Sequence, residues 1–343
     1  MAKPFQFALI FAVIIMLIGC AERNNPVHSE VDTALRLSSR TQTLGWAEDV
    51  WVHGDTAFVA DGEQGVSIWD VSDPAGPVLI DTMRLERAYA LMVRYAPQSD
   101  FVIVARKDGV SAHKLSDKTR LFRLWDKGIE DLDIIDLAPD TVIIAVVDWD
   151  EGFKINKAYF DSSYNSWVES DLAGTYLFQY GTQQGLYLDD TLAYVASNQV
   201  GLDVLGISYD PMGEFPIFRI GGIDTPGAAV DVAMSGDKTH LFVADTHGGL
   251  QIIDVTEPSA PEITGCIIPD RVDNAYQVAA IGDTVCFLDK YNGVYVIDAR
   301  NPSAPELIAR YDTPSPNSVF VNGDHRIFIA DKEWGLVILD WRD

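Results

Sequence analysis

His240-Leu-Phe-Val-Ala-Asp245, then three residues, then Gly249-Leu-Gln-Ile-Ile-Asp254 and Val255-Thr-Glu-Pro-Ser-Ala-Pro261 is the stretch that decides the fold. Two short apolar runs are separated by a turn, and a proline-bearing turn follows them. The pattern returns as Val285-Cys-Phe-Leu-Asp289, Gly293-Val-Tyr-Val-Ile-Asp298 and Ala299-Arg-Asn-Pro-Ser-Ala-Pro305. Upstream it is Ala57-Phe-Val-Ala-Asp61, Gly65-Val-Ser-Ile-Trp-Asp70 and Val71-Ser-Asp-Pro-Ala-Gly-Pro77, and at the other end Ile327-Phe-Ile-Ala-Asp331 with Gly335-Leu-Val-Ile-Leu-Asp340. Weaker copies lie around Phe101–Ala105, Val142–Asp148 and Leu192–Ala196.

The glycine that opens the second run falls at 65, 109, 152, 201, 249, 293 and 335, so seven copies recur every 42 to 49 residues. That period and number predict an all-β, seven-bladed β-propeller of four-stranded blades. Runs apolar at nearly every position suit strands covered on both faces, as stacked blades require. The seventh copy ends at Asp343 with no fourth strand, while Ala34–Thr43 precedes the first copy without a blade of its own. The N-terminal strand is therefore expected to complete the last blade and close the ring, leaving no open edge there.

Ala-Asp, then Gly-Leu-x-Ile-x-Asp, then Pro-x-x-Pro resembles the LVIVD repeat of bacterial and archaeal surface proteins. The likeness spans about residues 43–343 and is good in copies one, five, six and seven. It is poor in copies two to four, where Lys114, Lys157 and Gly206 replace the terminal Asp. It implies a propeller outside the cytoplasm and brings no reaction or ligand.

Residues 1–19 read as a signal peptide: Lys3 is followed by the apolar stretch Phe5–Ile18. Leu17-Ile18-Gly19-Cys20 resembles the lipobox of bacterial lipoproteins, which implies lipidation of Cys20. Residues 20–30 then form a tether and 31–343 the propeller. The resemblance implies a cell-envelope address, and Ala21 after the cysteine favours the outer membrane if the cell is Gram-negative. Cys266 and Cys286 are expected to be two lone buried thiols.

The formal charge is −26 and 48 % of the 343 residues are hydrophobic. Nucleic acid and anionic lipid headgroups are disfavoured as partners by repulsion. Asp61, Asp148, Asp245, Asp289 and Asp331 hold one repeated position, replaced by Arg106 and Ser197 in copies two and four. Such a ring has two readings: a structural Ca²⁺ site, or a carboxylate capping the turn of each blade, which the repetition favours. No catalytic or metal-binding motif appears, and no cofactor is expected.

Features the repeat does not require are better guides to function. The loops after the aspartates carry Trp149, His247, Tyr291 and Trp334, flanked by Lys107, Lys290 and Lys332, and these four are the candidate partner-binding residues. On the opposite face, the connections at 159–167 and 209–215 look enlarged. Two functions remain open: a monomeric binding or scaffold module for an envelope protein or glycan, and a Ca²⁺-dependent propeller hydrolase with its site in the central channel.

Overall fold

The computed structural model describes residues 34–86, 88–124, 128–164, 166–169, 174–208 and 215–341. The signal peptide, Cys20 and the tether lie outside them, as do residues 209–214 of one enlarged connection. Among the described residues no helix is long and apolar enough to cross a membrane.

Each repeat folds as an antiparallel meander whose innermost strand lines the axis. Blade one is β2 (Asp49–His53), β3 (Thr56–Ala60), β4 (Val66–Asp70) and β5 (Val78–Met83). Blade two is β6 (Ala90–Ala96), β7 (Phe101–Arg106), β8 (Gly109–Lys114) and β9 (Arg120–Leu124). Blade three is β10 (Ile129–Ala138), β11 (Thr141–Asp148) and β12 (Gly152–Asp161), with its outer strand split into β13 (Ser166–Glu169) and β14 (Gly174–Tyr176). Blade four is β15 (Gly185–Asp189), β16 (Leu192–Ala196), β17 (Leu202–Ile207) and β18 (Ile217–Ile223). Blade five is β19 (Asp231–Met234), β20 (His240–Ala244), β21 (Leu250–Asp254) and β22 (Glu262–Ile267). Blade six is β23 (Ala275–Ile281), β24 (Thr284–Asp289), β25 (Gly293–Asp298) and β26 (Glu306–Tyr311). Blade seven is β27 (Pro316–Val321), β28 (Arg326–Asp331), β29 (Gly335–Trp341) and, as its outer strand, β1 (Leu35–Thr41).

The expected closure is therefore present: β1 pairs antiparallel with β29 from Leu35–Trp341 to Thr41–Leu336. The outer strands of blades one, two, four, five and six each bulge against the third strand, and β1 bulges in the same way between Leu37 and Ser39. The strand from the far end of the chain thus meets the local twist that the other outer strands meet. Ser38 Oγ donates to Asp340 Oδ2 at 2.6 Å across the join.

The core consists of apolar layers between blades. Phe242, Ile252, Phe287 and Ile297 fill one of them, and Cys286, Ile329, Val337 and Leu35 another. The marker glycines are needed because the third strand begins beneath the end of the fourth. At Gly249, φ is +68° and an added Cβ would press on the Ile267 carbonyl oxygen. The other six marker glycines also have positive φ.

Cys286 is buried and free, whereas Cys266 is half-buried and disulfide-bonded, so the expectation of two lone buried thiols holds for the first alone.

Candidate binding face

In a meander, the turns between second and third strands and the linkers between blades emerge at the same end. That face of the ring is organised by the repeated aspartates. All five are fully buried, and three of them do more than cap their own turns. Asp289 Oδ1 accepts the Tyr291 N–H at 2.9 Å, while Oδ2 accepts the Asp273 and Asn274 N–H groups at 2.8 and 2.6 Å. Asp331 takes the Glu333 and Trp334 N–H groups on one oxygen and the Ser315 N–H on the other. Asp245 takes the Thr225 hydroxyl and the Gly227 N–H. Each of these three carboxylates ties its blade to the linker that enters it. In blade two the buried Arg106 holds Asp108 through two nitrogens, and in blade four Ser197 Oγ donates to Asp203 at 2.9 Å.

The four candidate residues lie on this face but in different blades. Trp149, in the turn of blade three, is 56 % exposed and rests against the backbone of Gly128. His247 and Tyr291 are exposed on blades five and six. Trp334 does not project in this way: it packs half-buried on the core of blade seven, with the Arg40 guanidinium 4.3 Å above its ring. No described cavity brings these residues together. Two of the three neighbouring lysines are engaged internally, Lys332 with Glu48 at 2.9 Å and Lys107 above the Tyr89 ring at 3.9 Å.

Further aromatic and apolar residues come from the inter-blade linkers, which do not repeat. Leu44 and Trp46 precede β2, and Leu177 and Tyr180 precede β15. With Trp149 and Tyr291, these are between 50 and 77 % exposed on the one face. Trp46 and Tyr89 border a small cavity of about 230 Å³.

On the opposite face, the 159–167 connection is an extended hairpin rather than a loose loop. Its β12 pairs with β13, and Trp167 packs edge-on against Phe101 at 4.4 Å. Phe215, from the other enlarged connection, is buried.

The axis holds a cavity of about 490 Å³ lined by the first strands of all seven blades. Arg94 lies among its acids, 2.8 Å from Asp49 and 3.6 Å from Asp131. Burial pushes Asp131 up to about 7 and raises Asp133 and Asp231. These carboxylates bind backbone N–H groups: Asp49 takes Val93, Asp131 takes Leu186, Asp133 takes Leu188 and Asp231 takes Val278. Among the described residues no three His, Cys, Asp or Glu side chains are grouped to hold a metal ion.

No curated protein matches the chain. Among solved structures, the β-propeller domain of Myceliophteria thermophila Cps50 (Swd1) superposes with a TM-score of 0.66 at 13 % identity, covering 89 % of this chain and 99 % of that one. The RRP9 WD40 repeats give 0.64 at 11 % identity over 90 and 98 %, and Saccharomyces cerevisiae Sqt1 gives 0.63 at 10 % over 89 and 98 %. At such identities the likeness concerns the fold alone. A model of the LVIVD repeat matches residues 44–84, 226–267 and 274–313. The chain is thus a seven-bladed β-propeller that carries LVIVD repeats in its first, fifth and sixth blades.

Proposed function

We propose that this protein is an envelope-anchored binding module whose partner, a protein or a glycan, docks on the face carrying the inter-blade linkers and the turns between second and third strands. The observation that carries this reading is the set of exposed side chains there: Leu44, Trp46, Trp149, Leu177, Tyr180 and Tyr291. Apolar and aromatic groups held open on rigid turns are common anchors of interfaces. Asp148 caps the turn that carries Trp149 and Asp289 accepts the Tyr291 N–H, so little ordering entropy is lost at these two on docking.

The anchor reading rests on the Leu17–Cys20 motif. It also fits the course of β1. Leu35 pairs with Trp341 at the end of the ring opposite the binding face. A tether entering there would turn the binding face away from the membrane.

The test is affinity capture from envelope extracts with the mature protein as bait. A partner is expected to be retained by wild type and lost with the combined Trp46→Ala, Trp149→Ala and Tyr291→Ala variant. Retention unchanged in that variant would refute the choice of face.

A further inference from the structure

At the rim of the same face, between blades three and four, is a cleft of about 320 Å³ lined by Tyr176, Phe178, Gln179, Tyr180, Asp203 and Arg219. Its wall is aromatic. The rings of Tyr176 and Phe178 stand perpendicular at 5.1 Å, and Tyr180 at the mouth is 77 % exposed. Its floor is an ion pair: Arg219 Nε donates to Asp203 Oδ1 at 2.5 Å, and Ser197 holds Oδ2.

The fold does not require this pair. Two residues after the marker glycine, where blade four has Asp203, the other blades carry Ser67, Ser111, Lys154, Gln251, Tyr295 and Val337. The outer-strand residue in the register position of Arg219 is Leu79, Ile263 or Leu307 in blades one, five and six, and in blade two it is Arg120, with Ser111 in place of the acid. Asp203 is buried but the Arg219 side chain is about half-exposed, and an ion pair so placed contributes little net stability, so its presence here asks for another reason.

The chemistry of the cleft is specific. Acid and guanidinium cancel, so a net charge on the ligand gains nothing. Side by side they offer acceptors and donors to neighbouring hydroxyls, each of which both donates and accepts. The aromatic wall suits a flat face of C–H groups. A pyranose ring combines these two surfaces, and the volume lies at the lower end of the roughly 300–1,000 Å³ of small-ligand sites. We propose that this cleft binds a neutral hexopyranose unit of a glycan. The inference rests on the same face being the binding face and names its ligand class.

The experiment presents the full-length protein, in detergent, to an array of neutral hexose and N-acetylhexosamine oligosaccharides, with calorimetry on any that bind. At least one is expected to bind. Tyr180→Ala should weaken it tenfold or more with an unchanged melting temperature, and Asp203→Asn should weaken it as well. Tyr164→Ala, on the opposite face, should leave it intact. A blank array, or binding indifferent to Tyr180→Ala, overturns the inference. If the array is blank while envelope capture still depends on Trp46, Trp149 and Tyr291, the sugar cleft falls and the binding face stands.

Discussion

Asp131 Oδ2 accepts the backbone N–H of Leu186 at 2.7 Å, across the boundary between blades three and four. The contact is one of a ring. Asp49 reaches Val93, Asp231 reaches Val278, Gln277 reaches Val319 and Ser318 reaches Val50, each bridging to the next blade. Met92 and Gly185 occupy the same position in blades two and four and offer no acceptor. In the blades that follow them, the local aspartate fills the gap: Asp131 Oδ1 takes the Leu132 N–H and Asp231 Oδ1 takes the Val232 N–H. Asp231→Ala therefore orphans two N–H groups on the channel wall. A stability loss of about 2–4 kcal/mol is expected by denaturant titration, at roughly 1–2 kcal/mol per group left unpaired. A loss within about 0.5 kcal/mol, as for an ordinary surface substitution, would contradict the bridging role.

Arg94 is the cation among these channel acids, and it also lies 5.1 Å from the Trp51 ring centre. Arg94→Met preserves much of the side-chain volume and removes the charge, leaving Asp49 and Asp131 buried without it. The expected cost is about 3–5 kcal/mol. Pairing Arg94→Met with Asp49→Asn should recover part of that loss; a double variant no better than the single one would show that packing, not charge, is what Arg94 supplies.

Stability should also depend on pH in an unusual direction. Burial holds Asp131 up at about 7 and Asp245 up at about 6, and raises Asp61, Asp133 and Asp231, because leaving water penalises the charged form. In the unfolded chain the same groups titrate near about 4. The folded state therefore binds more protons through the interval between, and the contribution of these groups is whole below about pH 4 and lost as the pH rises through 6 to 7. Exposed acids held low by local hydrogen bonds, such as Asp237 at about 2, act only in more acidic buffer. The melting temperature is expected to rise from pH 8 to pH 5, and Asp131→Asn should flatten that rise. A melting temperature that falls over this interval would show that these carboxylates do not govern the response.

The closing strand gives a sharper prediction. Leu35 is buried with Val337 and Leu339, and β1 satisfies the outer edge of β29. Removing residues 31–43 uncovers that edge and the apolar layer beneath it. Aggregation or a large drop in melting temperature is expected, seen by scanning calorimetry and size exclusion. A truncated protein that stays monomeric with an unchanged transition would mean that blade seven stands on three strands.

The blade count and the closure were legible because they follow from features that recur. A marker glycine is demanded in every blade by one left-handed φ, and an apolar pair of strands by one packing geometry. The inner ring of acceptors was not legible, since one position is filled by Asp49, Met92, Asp131, Gly185, Asp231, Gln277 and Ser318 in turn. The repeated task there is to accept an N–H, and several side chains or a neighbour's second oxygen perform it. On the face proposed to bind, the positions of Trp149 and Tyr291 follow from reading the turns. Trp46 and Tyr180 lie in linkers that share no spacing, though strand parity alone puts linkers and those turns at one end. The partial cover of Trp334 is not legible in the sequence because the residue that supplies it, Arg40, is separated from it by almost the whole chain.

Leu17-Ile18-Gly19-Cys20 predicts that the mature protein begins with a lipidated cysteine. Acyl chains bind a bilayer by about 0.8 kcal/mol per buried CH₂, so more than one chain is needed for a lasting hold. The 15 positions from Cys20 to Leu35 span at most about 50 Å when fully extended, which bounds the distance from membrane to propeller. Cys20→Ala removes the sulfur that would carry the lipid, at a position outside the described residues. The variant is expected to accumulate with its signal peptide uncleaved, or to leave the membrane fraction, while an envelope extract supplemented with the released protein still shows partner binding. Fractionation followed by intact mass measurement reads both outcomes. If the Cys20→Ala protein is cleaved at the same place and sediments with membranes as wild type does, the anchor is not a lipid on this residue.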